Sequence, residues 1–166
     1  MVGFTANWVH GNSVVMEAPP REDGGVFAFN HFGWGTQITM RPGFSRWFHI
    51  AIPAPVMLDG KRMNLIRAFL QFNQVSGFAN SGMINDVTLW DGQTRVAAQS
   101  AREFKSEPSV TLPLHRTFEL LQPRPWGTGV GLSFQLSCPP ALGGHIIDNS
   151  EAPVIRIGSA GADFQP

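Results

Sequence analysis

The sequence lacks tyrosine altogether, has a single cysteine and carries few charges, with 12 Lys+Arg and 12 Asp+Glu among 166 residues. Because Cys138 is the only cysteine, an internally disulfide-stapled secreted scaffold is excluded. The zero net charge gives no sequence-wide attraction for DNA, RNA or an anionic membrane, so we expect no nucleic-acid partner. No apolar run approaches the ~20 residues that a membrane span needs, and we expect no such span.

The first ten residues contain neither a basic segment nor a continuous apolar one. They do not resemble a secretory signal peptide, so we expect a cytoplasmic protein by default, although non-classical export would leave no such mark. The hydrophobic fraction of 43% is that of a globular protein, and 166 residues is an ordinary size for one domain. We therefore expect residues 1–166 to form a single domain.

Glycine and proline, with 18 and 13 copies, recur along the whole chain, which is typical of short strands joined by turns. Asp59-Gly60 and Asp91-Gly92 each separate two strand-like runs. Asp-Gly at such a place predicts a hairpin turn of type I′, in which both central residues need a positive φ. Gly11-Asn12 is a weaker candidate for a third turn of this kind.

Alternation and a high content of β-branched or aromatic residues predict further strands at residues 36–40, 47–52, 116–121, 130–136 and 154–157. Residues 61–74 have an apolar stripe that would also suit a helix. However, Lys61 and Arg62 would face the positive end of the helix dipole, so we predict a long central strand there. Nine or ten strands without a convincing helix predict an all-β fold, a single antiparallel β-sandwich of jelly-roll type.

The five histidines show no spacing typical of a metal site: they are His10, His31, His49, His115 and His145. Because none forms an H-x-H or H-E-x-x-H pair, we favour separate hydrogen-bonded or surface histidines and expect no metal and no cofactor. A site assembled from distant strands, as in cupins, stays open as the alternative.

Cys138 precedes His145 and Asp148, and these three residues could form a nucleophile relay. We favour an inert cysteine, because a lone cysteine more often behaves as a small hydrophobe. Residues 127–131 superficially resemble a nucleotide-binding loop, but a strand-like segment follows them rather than a helix, so we interpret them as turn glycines. We therefore expect no catalytic residues and a protein that is not an enzyme.

Two tryptophans have neighbours that would leave the indole ring exposed on a loop. Trp34 lies between two glycines, and Trp126 lies between a proline and a glycine. Such a ring can present its face on a loop and stack on a sugar, although folding back over the end of the sandwich is commoner for any one tryptophan. The candidate ligand-binding residues are Trp34 and Trp126, with Asn30, Arg46 and His49 as polar partners. The remaining tryptophans fall in predicted strands and are placed in the core: Trp8, Trp47 and Trp90.

Four segments together resemble a mainly bacterial family of uncharacterised proteins, a domain of unknown function. They are W-V-H-G-N at residues 8–12, G-W-G at 33–35, W-F-H-I-A-I-P-A-P-V at 47–56 and A-G-A-D-F at 160–164. The resemblance spans nearly the whole chain and implies a single all-β domain. It implies no activity, and no catalytic residue can be transferred from it.

Three functions remain open from the sequence. The first is a non-enzymatic structural or interaction protein that forms a homo-oligomer through an apolar sheet face, because residues 61–72 and 26–32 offer apolar side chains to both faces of a strand. The second is a carbohydrate-binding module that uses the loop tryptophans, so that the partner is a glycan rather than another protein. The third, a hydrolase or metalloenzyme, has no motif to support it.

Overall fold

The structure is a computed structural model that describes residues 3–17, 25–75, 83–100, 114–140 and 152–166. Within these ranges the chain is mostly β-strand and contains no α-helix, which confirms the all-β prediction. One sheet contains β1 (Thr5–His10), β3 (Val26–Phe32), β4 (Gly35–Met40), β8 (Asn64–Val75), β11 (Leu114–Pro125) and β13 (Val154–Gln165). A second contains β2 (Val15–Met16), β5 (Ser45–Ile52), β9 (Met83–Asp91), β10 (Thr94–Ser100) and β12 (Val130–Ser137). A small separate hairpin contains β6 (Met57–Leu58) and β7 (Lys61–Arg62).

The two sheets form an antiparallel sandwich with jelly-roll winding. The six-stranded sheet has the order β11-β8-β13-β4-β3, and β1 pairs with the same edge of β13 as β4 does, farther along the strand. The five-stranded sheet has the order β10-β9-β12-β5-β2. From β4 onward each long strand lies in the opposite sheet from the one before it, except at the β9–β10 hairpin. This alternation is the double-sheet arrangement of a jelly roll.

The core lies between the sheets and takes alternate residues of each long strand, because successive side chains of a strand point to opposite faces. The Phe48 ring of β5 stacks on the Phe134 ring of β12 with 5.6 Å between centroids, and both side chains are fully buried. Each such burial contributes roughly 1.5–3 kcal/mol. The other alternate residues of β5 and β12 therefore lie on the outer face of the five-stranded sheet.

Residues 64–75 form the strand β8, so the preference for a strand over a helix is confirmed. β8 pairs with β13 on one side and with β11 on the other, and Leu70 and Phe72 are buried in the core. The hairpin just before it has φ of 50° at Asp59 and 74° at Gly60. Two positive φ angles are what a type I′ turn requires, as the Asp-Gly pair predicts.

The Asp91-Gly92 prediction is correct for the hairpin but wrong for the turn residues. Asp91 is the last residue of β9 and pairs with Thr94, so the two-residue loop is Gly92-Gln93. Gly92 has a φ of 58° and is the only one of the two with a positive φ, which fits a type II′ turn with glycine at its first central position. The Asp91 side chain lies outside the turn and binds the neighbouring loop at Gly127 and Thr128.

The prediction of a third hairpin at Gly11-Asn12 is wrong. Residues Gly11–Ser13 form a single 3₁₀ turn that carries the chain from β1 in one sheet to β2 in the other. The His10 side chain accepts a hydrogen bond from the Asn12 N–H at 3.3 Å, which closes the turn. A crossing between sheets requires no strand pairing, so turn chemistry alone cannot identify a hairpin here.

β13 extends well beyond the predicted residues 154–157. Its second half, with Ala160, Gly161 and Ala162, has low intrinsic strand preference. It forms a strand because it lies at the centre of the six-stranded sheet, with β8 on one side and β1 on the other. Pairing on both sides therefore overrides local propensity. The other four predicted strands fall within β4, β5, β11 and β12 and are confirmed.

Candidate functional site

A cleft of about 450 Å³ lies on the outer face of the five-stranded sheet, on the side away from the core. Four of its five strands contribute side chains, and a segment after β2 adds one more. The lining residues are Glu17, Trp47, His49, Ile50, Ala51, Thr88, Trp90, Gly92, Arg95, Gly131 and Ser133. We call this surface the cleft. Its volume is in the range of small-ligand sites.

Strand register places the polar residues of the cleft in one row. Ser133 of β12 pairs with His49 of β5 on one side and with Thr88 of β9 on the other. The neighbouring row has Gly131 in the same central strand, between Ala51 and Trp90. Because glycine has no side chain, the middle of this second row is left low. The polar row therefore crosses three strands, and the row beside it is shallow at its centre because of Gly131.

Trp47 and Trp90 stand on either side of this polar row, and both are half-buried. Trp90 belongs to β9 and lies in the Gly131 row, whereas Trp47 belongs to β5 and lies one row beyond His49 on the opposite side. Each indole presents apolar surface toward the cleft, and the indole N–H of Trp90 donates to the Thr88 hydroxyl at 2.9 Å. The cleft thus has apolar rings at both ends and hydroxyl and imidazole groups between them.

His49 and Ser133 form a hydrogen bond, with 2.8 Å between Nδ1 and Oγ. This distance also suits a nucleophile and its general base. However, Ser133 lies in the middle of a central strand, where the surrounding backbone N–H groups pair with the strands on both sides. Backbone donors for an oxyanion are then already used. The pair is better suited to offering donors and acceptors to a bound ligand.

The charges of the cleft cancel. Glu17 and Arg95 lie toward opposite edges of the five-stranded sheet, beside β2 and on β10. No ion pair joins Glu17 or Arg95 to another described residue. One positive and one negative group at the two sides favour an uncharged polar ligand over an anion or a cation.

The structure does not bring the five candidate ligand-binding residues together. Trp34 and Asn30 are exposed on the six-stranded sheet, and only His49 lines the cleft. Arg46 lies three residues before His49 on β5, on the same face as buried Phe48. The expectation that Arg46 and His49 both face a groove near Trp34 is therefore wrong, because an odd spacing on a strand puts two side chains on opposite faces.

Trp126 cannot stack on a ligand as the candidate site required, because its side chain is fully buried. The commoner arrangement, a ring folded back over the sandwich, is the one found. The Trp126 backbone N–H donates to the Met63 carbonyl at 3.3 Å, and the Trp126 carbonyl accepts from Arg62 at 3.4 Å. The following residues, Gly127 and Thr128, are held by the Asp91 carboxylate. These bonds fold the loop down over the sandwich and carry the indole into the core. Gly127 and Gly129 lie in the loop before β12, as predicted, and Gly131 lies at the start of that strand.

Three tryptophans placed in the core from the sequence are not in it. Trp8 is 45% exposed, and Trp47 and Trp90 are the half-buried rings of the cleft. The alternation of side chains along β5 indicates the correct position of Trp47. Phe48, Ile50 and Ile52 share one face of the strand, and Trp47 and His49 share the other. The more apolar set faces the core, so the tryptophan belongs with the histidine.

Within the described residues, no cluster of three or more His, Cys, Asp or Glu side chains occurs. His31 bonds the Thr36 hydroxyl at 2.7 Å, and Cys138 is buried with its thiol 3.5 Å from the Pro139 carbonyl. The other partners of the proposed relay, His145 and Asp148, lie outside the described residues, as does the His115 side chain. Helices long and apolar enough to cross a membrane are also absent from the described part.

The comparisons with known proteins include a distant structural likeness. No family model and no curated protein matches the sequence. Among solved structures, the chain is similar to a carbohydrate-binding module, CBM36, determined in complex with calcium and xylotriose. The likeness covers 92% of this chain and 96% of that chain, with 8% identity and a TM-score of 0.41. A likeness this weak carries no argument about a ligand or a site.

Proposed function

We propose that this protein is a carbohydrate-binding module that holds a neutral glycan in the cleft. The observation that carries the proposal is the arrangement of Trp47 and Trp90 around the polar row of Thr88, Ser133 and His49. Sugars have flat apolar faces formed by C–H groups and a rim of hydroxyl groups. The cleft offers a partner for each: indole surface for the faces, and hydroxyl and imidazole groups for the rim.

The dimensions of the cleft suit a short stretch of a glycan chain. Its polar row crosses three strands, and neighbouring strands are about 4.8 Å apart, so the row is about 10 Å long. The cleft lies on an open sheet face, which lets a longer chain continue past both ends. Binding of an internal segment rather than a chain end follows from this shape.

Substitution of one cleft tryptophan tests the proposal. Trp90→Ala removes an apolar wall, and we expect about tenfold weaker binding of neutral oligosaccharides, since aromatic contacts of this kind contribute about 1.4 kcal/mol. Isothermal titration with cellohexaose, xylohexaose, mannohexaose and laminarihexaose measures it. Met57→Ala is the control, because Met57 is 57% exposed on the separate β6–β7 hairpin.

Trp34→Ala separates this proposal from the one drawn from the sequence. Trp34 is exposed on the opposite sheet, so its loss leaves affinity in the cleft unchanged. Far-UV circular dichroism and the melting temperature check that each variant is folded. Failure of all four oligosaccharides to bind at millimolar concentration contradicts the proposal, as does full affinity in a folded Trp90→Ala variant.

Self-association is a second candidate, favoured by one feature. The rings of Phe32 and Trp34 stack at 5.2 Å with 10° between their planes, and they are 41% and 44% exposed. The Arg156 guanidinium lies 5.3 Å from the Trp34 ring centre and adds a polar rim. An apolar pair of this size fits a small, weak contact between copies rather than an obligate dimer.

A further inference from the structure

The Trp8 indole lies flat on the outer face of the six-stranded sheet. Trp8 of β1 pairs with Gly161 of β13, and Gly161 pairs on its other side with Phe69 of β8. A Cβ atom added to Gly161 would lie 2.5, 2.6 and 2.8 Å from three adjoining carbons of the indole. Near-equal distances to adjoining ring atoms mean that the ring covers the glycine face-on. The Trp8 side chain is nevertheless 45% exposed.

Phe69 and Phe4 extend this surface. The Phe69 ring lies 5.3 Å from the Trp8 ring with 14° between their planes. Phe4 is 55% exposed. The Arg67 guanidinium contacts both phenylalanines and lies 5.5 Å from the centre of the Phe4 ring and 5.4 Å from the centre of the Phe69 ring. We call Trp8, Phe69 and Phe4 the platform. It is an exposed group of aromatic rings in which Trp8 and Phe69 are stacked.

The charge beneath the platform is compensated. Arg67 Nε donates to the Asp163 carboxylate at 2.7 Å, and the Asp163 side chain is almost fully buried. The neighbouring row across the sheet is polar: Ser159 donates to the Gln71 side chain, and His10 pairs with Ser159. Exposed aromatic surface, no net charge and a polar margin are the requirements for stacking a neutral sugar.

We propose that the platform is a second glycan-binding surface, so that the domain holds a neutral polysaccharide on each of its two faces. The cleft and the platform lie on opposite sheets of the sandwich, so one chain segment cannot occupy both. The proposal takes the class of ligand from the proposed function but rests on different residues. Binding at two opposed faces lets one copy of the protein bridge two polysaccharide chains.

The area of the platform argues against a second copy of the protein as its occupant. An aromatic side chain buries 150–250 Å² when fully covered, and these three rings are already partly covered, so the platform offers roughly 300 Å². A stable protein interface needs about 800 Å² on each partner. A sugar ring or two needs far less. The platform therefore matches a glycan better than a protein surface.

Stoichiometry is the decisive measurement. Isothermal titration of the full chain with the same four hexasaccharides is expected to give two sites for at least one of them. Trp8→Ala and Trp90→Ala are each expected to leave one site at full affinity and to weaken the other about tenfold, and the double variant is expected to weaken both. Wild-type protein is also expected to make solutions of the matching long polysaccharide turbid, whereas each single variant leaves them clear.

Gly161→Ala supplies an independent variant, because its Cβ displaces the indole while Trp8 stays in the sequence. We expect it to lower affinity at the platform and to leave the cleft unchanged, with circular dichroism to check the fold. Unchanged stoichiometry and affinity in folded Trp8→Ala overturn the proposal, whether or not the cleft binds. Loss of binding in Trp8→Ala with full binding in Trp90→Ala supports the platform and contradicts the cleft. A lower molar mass of Trp8→Ala by light scattering, with glycan binding unchanged, shows a second copy as the occupant and overturns the proposal.

Discussion

At the scale of single residues, Asp91 holds the loop that buries Trp126. Its carboxylate accepts from the Gly127 N–H, the Thr128 N–H and the Thr128 hydroxyl, each at 2.8 Å. Partial desolvation raises the pKa of Asp91, but the hydrogen bonds from Thr128 and Gly127 and the charge of Arg62 outweigh it, so the pKa lies below its ordinary value of 3.8. The ionised form is thus the one that stabilises the fold.

The contribution of Asp91 to stability depends on pH in a definite direction. Because its folded-state pKa is lowered, its stabilisation is fully present above pH 3.8 and is lost as the pH falls through the folded-state value. We expect Asp91→Asn to lower the free energy of unfolding at pH 7 by about 1–2 kcal/mol and to flatten its decline in acid. Urea denaturation between pH 7 and pH 2.5 measures both. Asp59→Asn is the control, because asparagine also tolerates the positive φ of Asp59; an equal loss in both variants contradicts the prediction.

The glycines on either side of Trp34 differ in what they do. A Cβ on Gly35 would lie 2.0 Å from the Ile157 carbonyl oxygen, and Gly35 has a φ of 145°. Gly33 has no atom within 4 Å of an added Cβ. We expect Gly35→Ala to cost about 3 kcal/mol, a fall of about 10 °C in melting temperature, since both the backbone angle and a backbone contact oppose it. Gly33→Ala changes the melting temperature little, and equal melting temperatures for the two variants would disprove this account.

At the scale of elements, the central strand β12 sets the depth of the cleft. An added Cβ at Gly131 would lie 3.2 Å from the Trp90 Cβ, so a side chain there rises between the two tryptophans. We expect Gly131→Val to weaken oligosaccharide binding in the cleft at least tenfold while the melting temperature changes by only about 3 °C, because valine suits a strand. Titration and thermal denaturation measure the two effects. Gly129→Val, in the open loop before β12, is the matched control, and normal affinity in a folded Gly131→Val protein counts against the cleft.

Local patterns in the sequence predict most of the elements but little of the site. Asp59-Gly60 identifies a hairpin because a positive φ at two residues is a local requirement. The extent of β13 is not local: Ala160 and Gly161 form a strand only because β1 and β8 pair with them. The cleft depends on register between strands distant in sequence, such as the alignment of His49 with Ser133. Tryptophan flanked by glycine or proline was a poor guide, whereas alternation within β5 already joins Trp47 to His49.

At the scale of the whole molecule, the exposed apolar side chains divide into separate groups. Phe32 and Trp34 lie at one end of the six-stranded sheet, Phe4 and Trp8 belong to the platform, and Met57 and Leu58 lie on the small hairpin. The outward-facing side chains of β8 include both apolar and polar ones, since Phe69 and Gln71 are neighbours on the same face of the strand. The continuous apolar face expected from residues 61–72 and 26–32 is therefore interrupted by polar groups, and homo-oligomer formation stays a prediction.

Weak self-association gives a mass that depends on concentration. We expect the average mass to rise above the 18.2 kDa of one chain between micromolar and several hundred micromolar protein. Trp34→Glu should hold it at one chain, because a carboxylate replaces the exposed ring at the centre of the contact. Light scattering after size exclusion measures both. Phe44→Glu, which also changes an exposed aromatic residue, is the control; a constant single-chain mass for the wild type rules out this contact.

The position of β13 also governs the time the protein needs to fold. β13 separates β8 from both β4 and β1, and its register brings Thr5 beside Phe164, so residues from nearly opposite ends of the described chain must meet. Contacts so distant in sequence are typical of slow folding, on a scale of milliseconds to seconds. Until β13 docks, the facing edges of β8 and β4 have unpaired backbone groups that can pair with another molecule instead. The refolding yield therefore depends on the rate at which β13 inserts relative to the rate of aggregation. Because insertion is intramolecular and aggregation is not, dilution favours insertion.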